Sequence, residues 1–215
     1  YSLLNDTIGM DDKDYKAFQE IKAMNDKHEY LWKNKGGTPD EQMIRDMAVF
    51  SAFGEGLQLF ASFVMLLNFQ RFGKMKGMGQ IVAWSIRDES HHVENMIKLL
   101  HEILDEKPEV WNDEFKKTLY DICRDMVNLE DRFIDLAFEF GPIEGLEPDD
   151  VKQYIRHIAD RRLLQLGLKP NYGVKENPLE WVDWVVNGVE HTNFFENRST
   201  EYNKGSLTGT WDDAF

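Results

Sequence analysis

The sequence predicts an all-α fold, a bundle of long helices, on three observations. Apolar residues recur at helical spacing through most of the chain, as at Tyr15, Phe18, Ile21 and Met24. Start and stop signals of helices punctuate it, above all Thr38-Pro39-Asp40-Glu41, Pro108, Gly141-Pro142 and Glu147-Pro148-Asp149-Asp150. No strand-like alternation of useful length, no internal repeat and no low-complexity run interrupts the pattern.

In chain order, residues 1–9 read as the end of a helix broken at Gly9, and residues 11–33 as one polar amphipathic helix stopped by Asn34-Lys35-Gly36-Gly37. Thr38 supplies an N-cap, Pro39 the first helical position and Asp40 and Glu41 an acidic first turn. A long buried helix follows and ends near Phe72-Gly73. The next helix begins somewhere between Lys74 and Gln80 and runs to about Asp105. Residues 111–140 form another amphipathic helix, and a further one opens at Pro148 and continues to Gly167. Residues 178–186 form a short Trp-rich helix, after which the pattern degrades into a polar tail.

The totals set bounds. A chain of 215 residues with 42% hydrophobic and 30% charged content can bury a sizeable core. A net charge of −14 argues against nucleic-acid binding, which needs a basic face. The single cysteine, Cys123, cannot form an intrachain disulfide, which suits a reducing, cytoplasmic setting. No basic-then-apolar leader opens the sequence. Residues 47–70 are long enough to span a membrane, but Glu55, Gln58, Asn68 and Gln70 interrupt them, so a buried core helix is the expected reading.

Within that greasy stretch Glu55 is the one formal charge, and an unpaired carboxylate there is costly. Glu89 and His92 form a Glu-x-x-His on the next helix. Residues three apart share a helix face whereas residues two apart oppose each other, so Glu89 converges with His92 and not with His91. Helices joined by a short turn pack antiparallel, and the sequence midpoint between Glu55 and Glu89 is Phe72. A tight turn there puts the carboxylates at similar depth, whereas a loop covering residues 74–79 would offset them by about 10 Å at 1.5 Å per residue. Gly54 and Gly56 flank Glu55 and call for close helix approach or a local distortion at a site.

Two carboxylates and an imidazole form a hard ligand set suited to iron or manganese. They supply half of the set used by di-iron bundles, which take a Glu from each of two helices and a Glu-x-x-His from each of two others. The competing readings are a structural salt bridge from Glu55 to Arg87 or Arg71 and a solvated Glu-x-x-His. The acidic cluster Glu130-Asp131, Asp135 and Glu139 reads as a solvated face, and His28, His101 and His157 as surface or cap residues.

At these residues the chain resembles the small, radical-generating subunit of class I ribonucleotide reductase. The resemblance rests on Glu55 in FGEGLQLFASF, on Arg87-Asp88-Glu89-Ser90-His91-His92, on YIRHIADRRLLQLG from Tyr154, and on Asn177-Pro178-Leu179-Glu180-Trp181. Tyr1-Ser2-Leu3-Leu4-Asn5-Asp6-Thr7, Thr192-Asn193-Phe194-Phe195-Glu196 and Glu201-Tyr202 extend it. It implies a ferritin-like helical bundle, of which this chain is the C-terminal portion lacking the N-terminal helices. Residues 1–190 would be a partial di-metal domain, and residues 191–215 a flexible tail ending in Phe215 that docks on the large subunit.

The implied site is two iron ions, or manganese and iron, with Glu55, Glu89 and His92 as ligands. Tyr1 would be the radical tyrosine, shielded by Leu59, Phe60 and Phe63. Asp88 would link the metals to the electron-transfer chain, and Tyr202 would relay the radical across the interface. The implied activity is that of ribonucleoside-diphosphate reductase, which makes deoxyribonucleotides for DNA replication, in a homodimer. Three of six ligands would precede Tyr1, so the isolated chain is expected to be inactive, or completed by a separate N-terminal half. The alternatives are another di-iron carboxylate oxidase or oxygenase, and a non-catalytic complementing or interaction fragment.

Overall fold

In the computed structural model, which describes residues 9–187, the helices follow the order the periodicity predicts. No strand occurs among the described residues, where Ile143 and Leu146 make an isolated bridge. The expected first helix is two: α1 (Asp12–Glu20) and α2 (Lys22–Lys33). Ile21 breaks it, with extended backbone (φ −82°, ψ 110°), and its carbonyl accepts from Met24 and Asn25 to start α2. A one-residue break leaves the apolar spacing almost intact, so periodicity alone does not register it.

Helix α3 (Pro39–Met47) opens on the expected signal: the Glu41 amide donates to Thr38 Oγ1 at 3.3 Å, and the Thr38 amide donates to the Glu41 carboxylate at 2.7 Å. The rod then widens. Through Ala48–Glu55 the backbone is π-helical; just beyond, the Gly56 and Gln58 amides reach back five residues to the carbonyls of Ser51 and Phe53, at 2.9 and 3.0 Å. A turn over residues 56–59 leads into α4 (Phe60–Arg71). The expected single helix is therefore a rod with a π-helical distortion that ends at Glu55, between Gly54 and Gly56. An apolar window of this rod with mean hydropathy 1.5 is long enough to cross a membrane, but 61% of it is buried inside the bundle, as a core helix is.

Helix α5 (Lys76–Glu106) begins directly after a tight turn, with Gly73 at φ +71° and Met75 at φ +47°. Gly79 faces α4 so closely that a Cβ there would overlap Gln70 Oε1 and lie 2.9 Å from the Gln70 Cβ. The short turn and close approach give the depth match that the Glu55–Glu89 pairing needs. Asn112 then caps α6 (Asp113–Glu139) by accepting from the Phe115 amide at 2.9 Å. Helix α7 (Pro148–Gln165) starts at its proline, and α8 (Glu180–Asn187) ends the described chain. Between these two, Asp160 accepts from the amides of Asn171, Tyr172 and Val174 at 2.8–2.9 Å and folds the loop back on α7. His101 Nε2 lies 2.8 Å from the Gln165 carbonyl, a cap at the end of α7. Phe53, Leu57, Leu67, Leu119, Met126, Ile134, Ile155 and Leu163, all fully buried, form one core across α4, α6 and α7 with the π-helical segment.

The acidic cluster on α6 is not a solvated face throughout. Glu130 is 0% exposed and ion-pairs with Lys27 of α2, Asp131 pairs with Arg156 at 2.7 Å, and Asp135 pairs with Lys152 at 2.6 Å. Glu130 follows Met126 and Val127 and precedes Ile134 on the apolar stripe of α6, so it enters the core while Glu139 stays exposed. Burial pushes the Glu130 carboxyl up to about 7; Lys27 pulls it back only in part, and Asp131 adds to the rise. The folded protein thus keeps a proton that the unfolded chain releases near 4.5. Stability from this group is complete below that value and is lost as pH rises through about 7. Glu130→Gln is expected to flatten the wild-type decline in unfolding free energy across that window, read by urea denaturation at a series of pH values.

Candidate metal centre

Glu55 is the last residue of the π-helical segment, and Glu89 and His92 lie on α5 facing it. One ligand atom from each of the three lies within 4.8 Å of the others. His92 Nδ1 stands 3.5 Å from Glu89 Oε2, as the three-residue spacing predicts, while His91 is exposed and outside the cluster. Asp88 Oδ1 lies 3.8 Å from His92 Nε2, with its side chain 75% exposed. Asp88 thus adjoins the outer edge of the imidazole, beyond hydrogen-bond distance.

The electrostatics favour a cation. Burial pushes the Glu55 carboxyl above its ordinary value, the Glu89 charge adds to this, and His92 offsets it in part. Glu89 Oε2 is buried and has no hydrogen-bond partner. Two converging acids with an orphaned oxygen and an imidazole fit a hard divalent ion, which would relieve the repulsion and take up the orphaned atom. Arg71, one of the two candidates for a salt bridge to Glu55, is committed elsewhere. Its Nη1 donates to Asn68 Oδ1 at 3.1 Å and to the Gly145 carbonyl at 3.2 Å, and its guanidinium lies 4.6 Å from the Trp181 ring.

Of the expected apolar shield, Phe60 is buried and meets Phe63 edge-on at 5.8 Å, while Leu59 is 38% exposed. Tyr1, Tyr202 and Phe215 lie outside the described residues. Sequence reasoning missed the buried charges around Glu55: Lys27 with Glu130, and Arg162, which is 3% exposed. The signal is present, because Glu130 and Arg162 each fall on the apolar stripe of their helix, Arg162 between Ile158 and Leu163.

This arrangement agrees with comparisons against known proteins. Residues 1–178 match the family model described as ribonucleotide reductase, small chain. The probable ribonucleoside-diphosphate reductase small subunit of Invertebrate iridescent virus 3 is 45% identical over 98% of this chain and 61% of its own length. That of Invertebrate iridescent virus 6 is 40% identical over 100% of this chain and 70% of its own length. This chain therefore spans about two thirds of the length of these curated relatives. The ribonucleotide reductase R2 subunit from Clostridium botulinum superposes with a TM-score of 0.78 at 23% identity, covering 86% of this chain and 61% of that one, which shows the shared ferritin-like fold. A Glu and a Glu-x-x-His converging from adjacent helices, on that fold and under that family model, identify the chain as a member of the ribonucleotide reductase small-chain family.

Proposed function

We propose that this chain is the C-terminal portion of a class I ribonucleoside-diphosphate reductase small subunit, contributing Glu55, Glu89 and His92 to a two-metal site. The observation that carries this is the convergence of those three side chains within 4.8 Å. The bundle architecture asks for a second Glu and a second Glu-x-x-His. Those ligands are assigned to polypeptide beyond this sequence, consistent with its relatives being longer. When bound, two irons, or manganese and iron, supply the oxygen chemistry that oxidises a tyrosine.

The protein's own residues do the rest. Glu55 and Glu89 would offset part of the charge of the ions, and His92 would supply a nitrogen ligand to one of them. Asp88 adjoins the exposed edge of the His92 ring and so joins the site to the electron path. Phe60 and Phe63 would supply the apolar shield that a radical tyrosine, proposed at Tyr1, requires. Tyr202 carries the radical equivalent onward, and residues 191–215 order on the large subunit, where deoxyribonucleotides are made. Residues 1–190 form the metal-holding domain, and the complete subunit works as a homodimer in the cytoplasm.

The test is made on the polypeptide of the complete reading frame, loaded with ferrous iron and exposed to oxygen. The expected result is a tyrosyl signal in electron paramagnetic resonance that Tyr1→Phe abolishes. Two bound irons with no tyrosyl signal would instead identify a di-iron oxidase, whose activity deletion of residues 191–215 would spare.

A further inference from the structure

Two cations, the buried Arg162 and the partly buried Lys27, reach the backbone just past Glu55. Lys27 Nζ, from α2, donates to the Gln58 carbonyl at 2.8 Å. Arg162 Nε, from α7, donates to the Gly56 carbonyl at 2.8 Å. Residues 56 and 58 are those whose amides reach back five residues, at the handover from π-helix to α4. Each is thus held on both sides, by a π-type bond through its amide and by a side-chain cation at its carbonyl. Lys27 has fully buried Glu130 as counter-ion and lies 4.3 Å from the Phe133 ring. Apart from that ion pair, neither oxygen of Glu130 has a hydrogen-bond partner. Arg162 is braced by Gln165 Oε1 at 2.8 Å and by the Phe60 ring at 5.5 Å.

Burying such charges is expensive, and well-packed apolar residues in place of an ion pair are often as stable or more so. Stability is therefore a poor reason for the arrangement, and its geometry offers a better one. A π-helical segment carries one more residue than the α-helix it interrupts. If the handover relaxed to α-type bonding, the residues before it would rotate by about 100° per residue, taking Glu55 off the face of Glu89 and His92. We propose that the Lys27–Glu130 pair and Arg162 are positioning residues, a two-sided clamp on the carbonyls of Gly56 and Gln58 that locks the π-helical register and aims Glu55 at the metal. This inference rests on the metal reading above.

The test uses the 215-residue chain with two readouts: Co(II) titration followed by visible absorption, and hydrogen–deuterium exchange of the metal-free protein. Lys27→Met/Glu130→Leu removes one side of the clamp without leaving an unpaired buried charge. It is expected to bind Co(II) at least about tenfold more weakly, with an altered absorption band, as loss of an outer-shell support does. Exchange at residues 48–63 is expected to quicken while α6 stays protected. The control Lys152→Met/Asp135→Leu, which removes another ion pair from α6 but touches neither carbonyl, is expected to leave both readouts at wild-type values. Unchanged exchange at residues 48–63, or faster exchange with unchanged Co(II) binding, overturns the proposal. If the wild-type chain binds no Co(II), the titration is repeated on the polypeptide of the complete reading frame; no binding there overturns the metal reading, and exchange alone then decides the clamp. Should the double variant not fold, Arg162→Lys keeps a buried cation but loses the Nε donor; weaker Co(II) binding with faster exchange at residues 48–63 then supports the clamp, and wild-type behaviour in either readout overturns it.

Discussion

Glu89→Ala is expected to leave the helices intact and to lower the affinity of the chain for a divalent cation beyond the roughly 100-fold that marks the upper range for outer-shell losses. Glu89 supplies the buried orphaned oxygen and one of the two carboxylates of the cluster. Without it, one carboxylate and one imidazole remain, too few among the described residues to enclose an ion. Equilibrium dialysis with Fe(II) under argon measures the loss. His91→Ala is the control, because its side chain is outside the cluster and its removal should change affinity less than about twofold.

A second readout separates ligand loss from general damage. In the metal-free protein the Glu55 carboxyl is pushed up first by burial and then by the Glu89 charge, with His92 opposing. Glu89→Ala should therefore bring the Glu55 titration down, and His92→Ala should send it further up, both visible by carbon-detected NMR. For an acid whose value is raised on folding, stability is complete below the unfolded value and falls as pH rises through the folded one. Metal-free Glu89→Ala should accordingly lose less stability over that rise than wild type. If the two substitutions moved Glu55 in the same direction, the shared-site geometry would be wrong.

The legible parts of this molecule are those encoded by local chemistry. Thr38-Pro39-Asp40-Glu41 specifies a helix start by itself, and both hydrogen bonds of its capping box are present. Glu89 and His92 converge because helix geometry requires it, whatever else the chain does. Flanking glycines mark the distortion at Glu55, although not its length, because the i−5 bonds are stabilised by side chains arriving from α2 and α7. The break at Ile21 stays hidden because it moves the phase of the stripe so little. Glu130 escapes a reading that weighs charge by residue type and not by helix phase. On the stripe of α6 it sits where Met126 and Ile134 sit, and a lysine about one hundred residues earlier in sequence makes its burial tolerable. Such long-range compensation leaves no local trace.

Gly56→Ala should be among the most damaging single-methyl additions in the rod, and for reasons of space. Gly56 has φ −83° and ψ −9°, which any residue adopts, so no conformational strain is involved. A Cβ there would instead overlap the Ala52 carbonyl oxygen and lie 2.7 Å from Arg162 Nε. The first is backbone inside the π-helical segment and cannot swing away. The second is held by Gln165 and by the Gly56 carbonyl itself. Making room therefore breaks the Arg162–Gly56 bond and leaves a buried guanidinium without that acceptor. Overpacking and the lost charge-assisted hydrogen bond together should cost about 3 kcal/mol, read as a lower urea midpoint. Gly54→Ala provides the contrast. Its Cβ would meet the Val49 carbonyl at 3.3 Å and Leu31 at 3.5 Å, contacts relieved by shifts of a few tenths of an ångström. The gain in helix propensity, up to about 1 kcal/mol, offsets much of that, so Gly54→Ala should stay near wild type. Equal destabilisation by the two substitutions would mean that the contacts at Gly56 contribute little; a gap of about 2 kcal/mol or more would place the constraint at Gly56, next to Glu55, on the Ala52 carbonyl and Arg162 together.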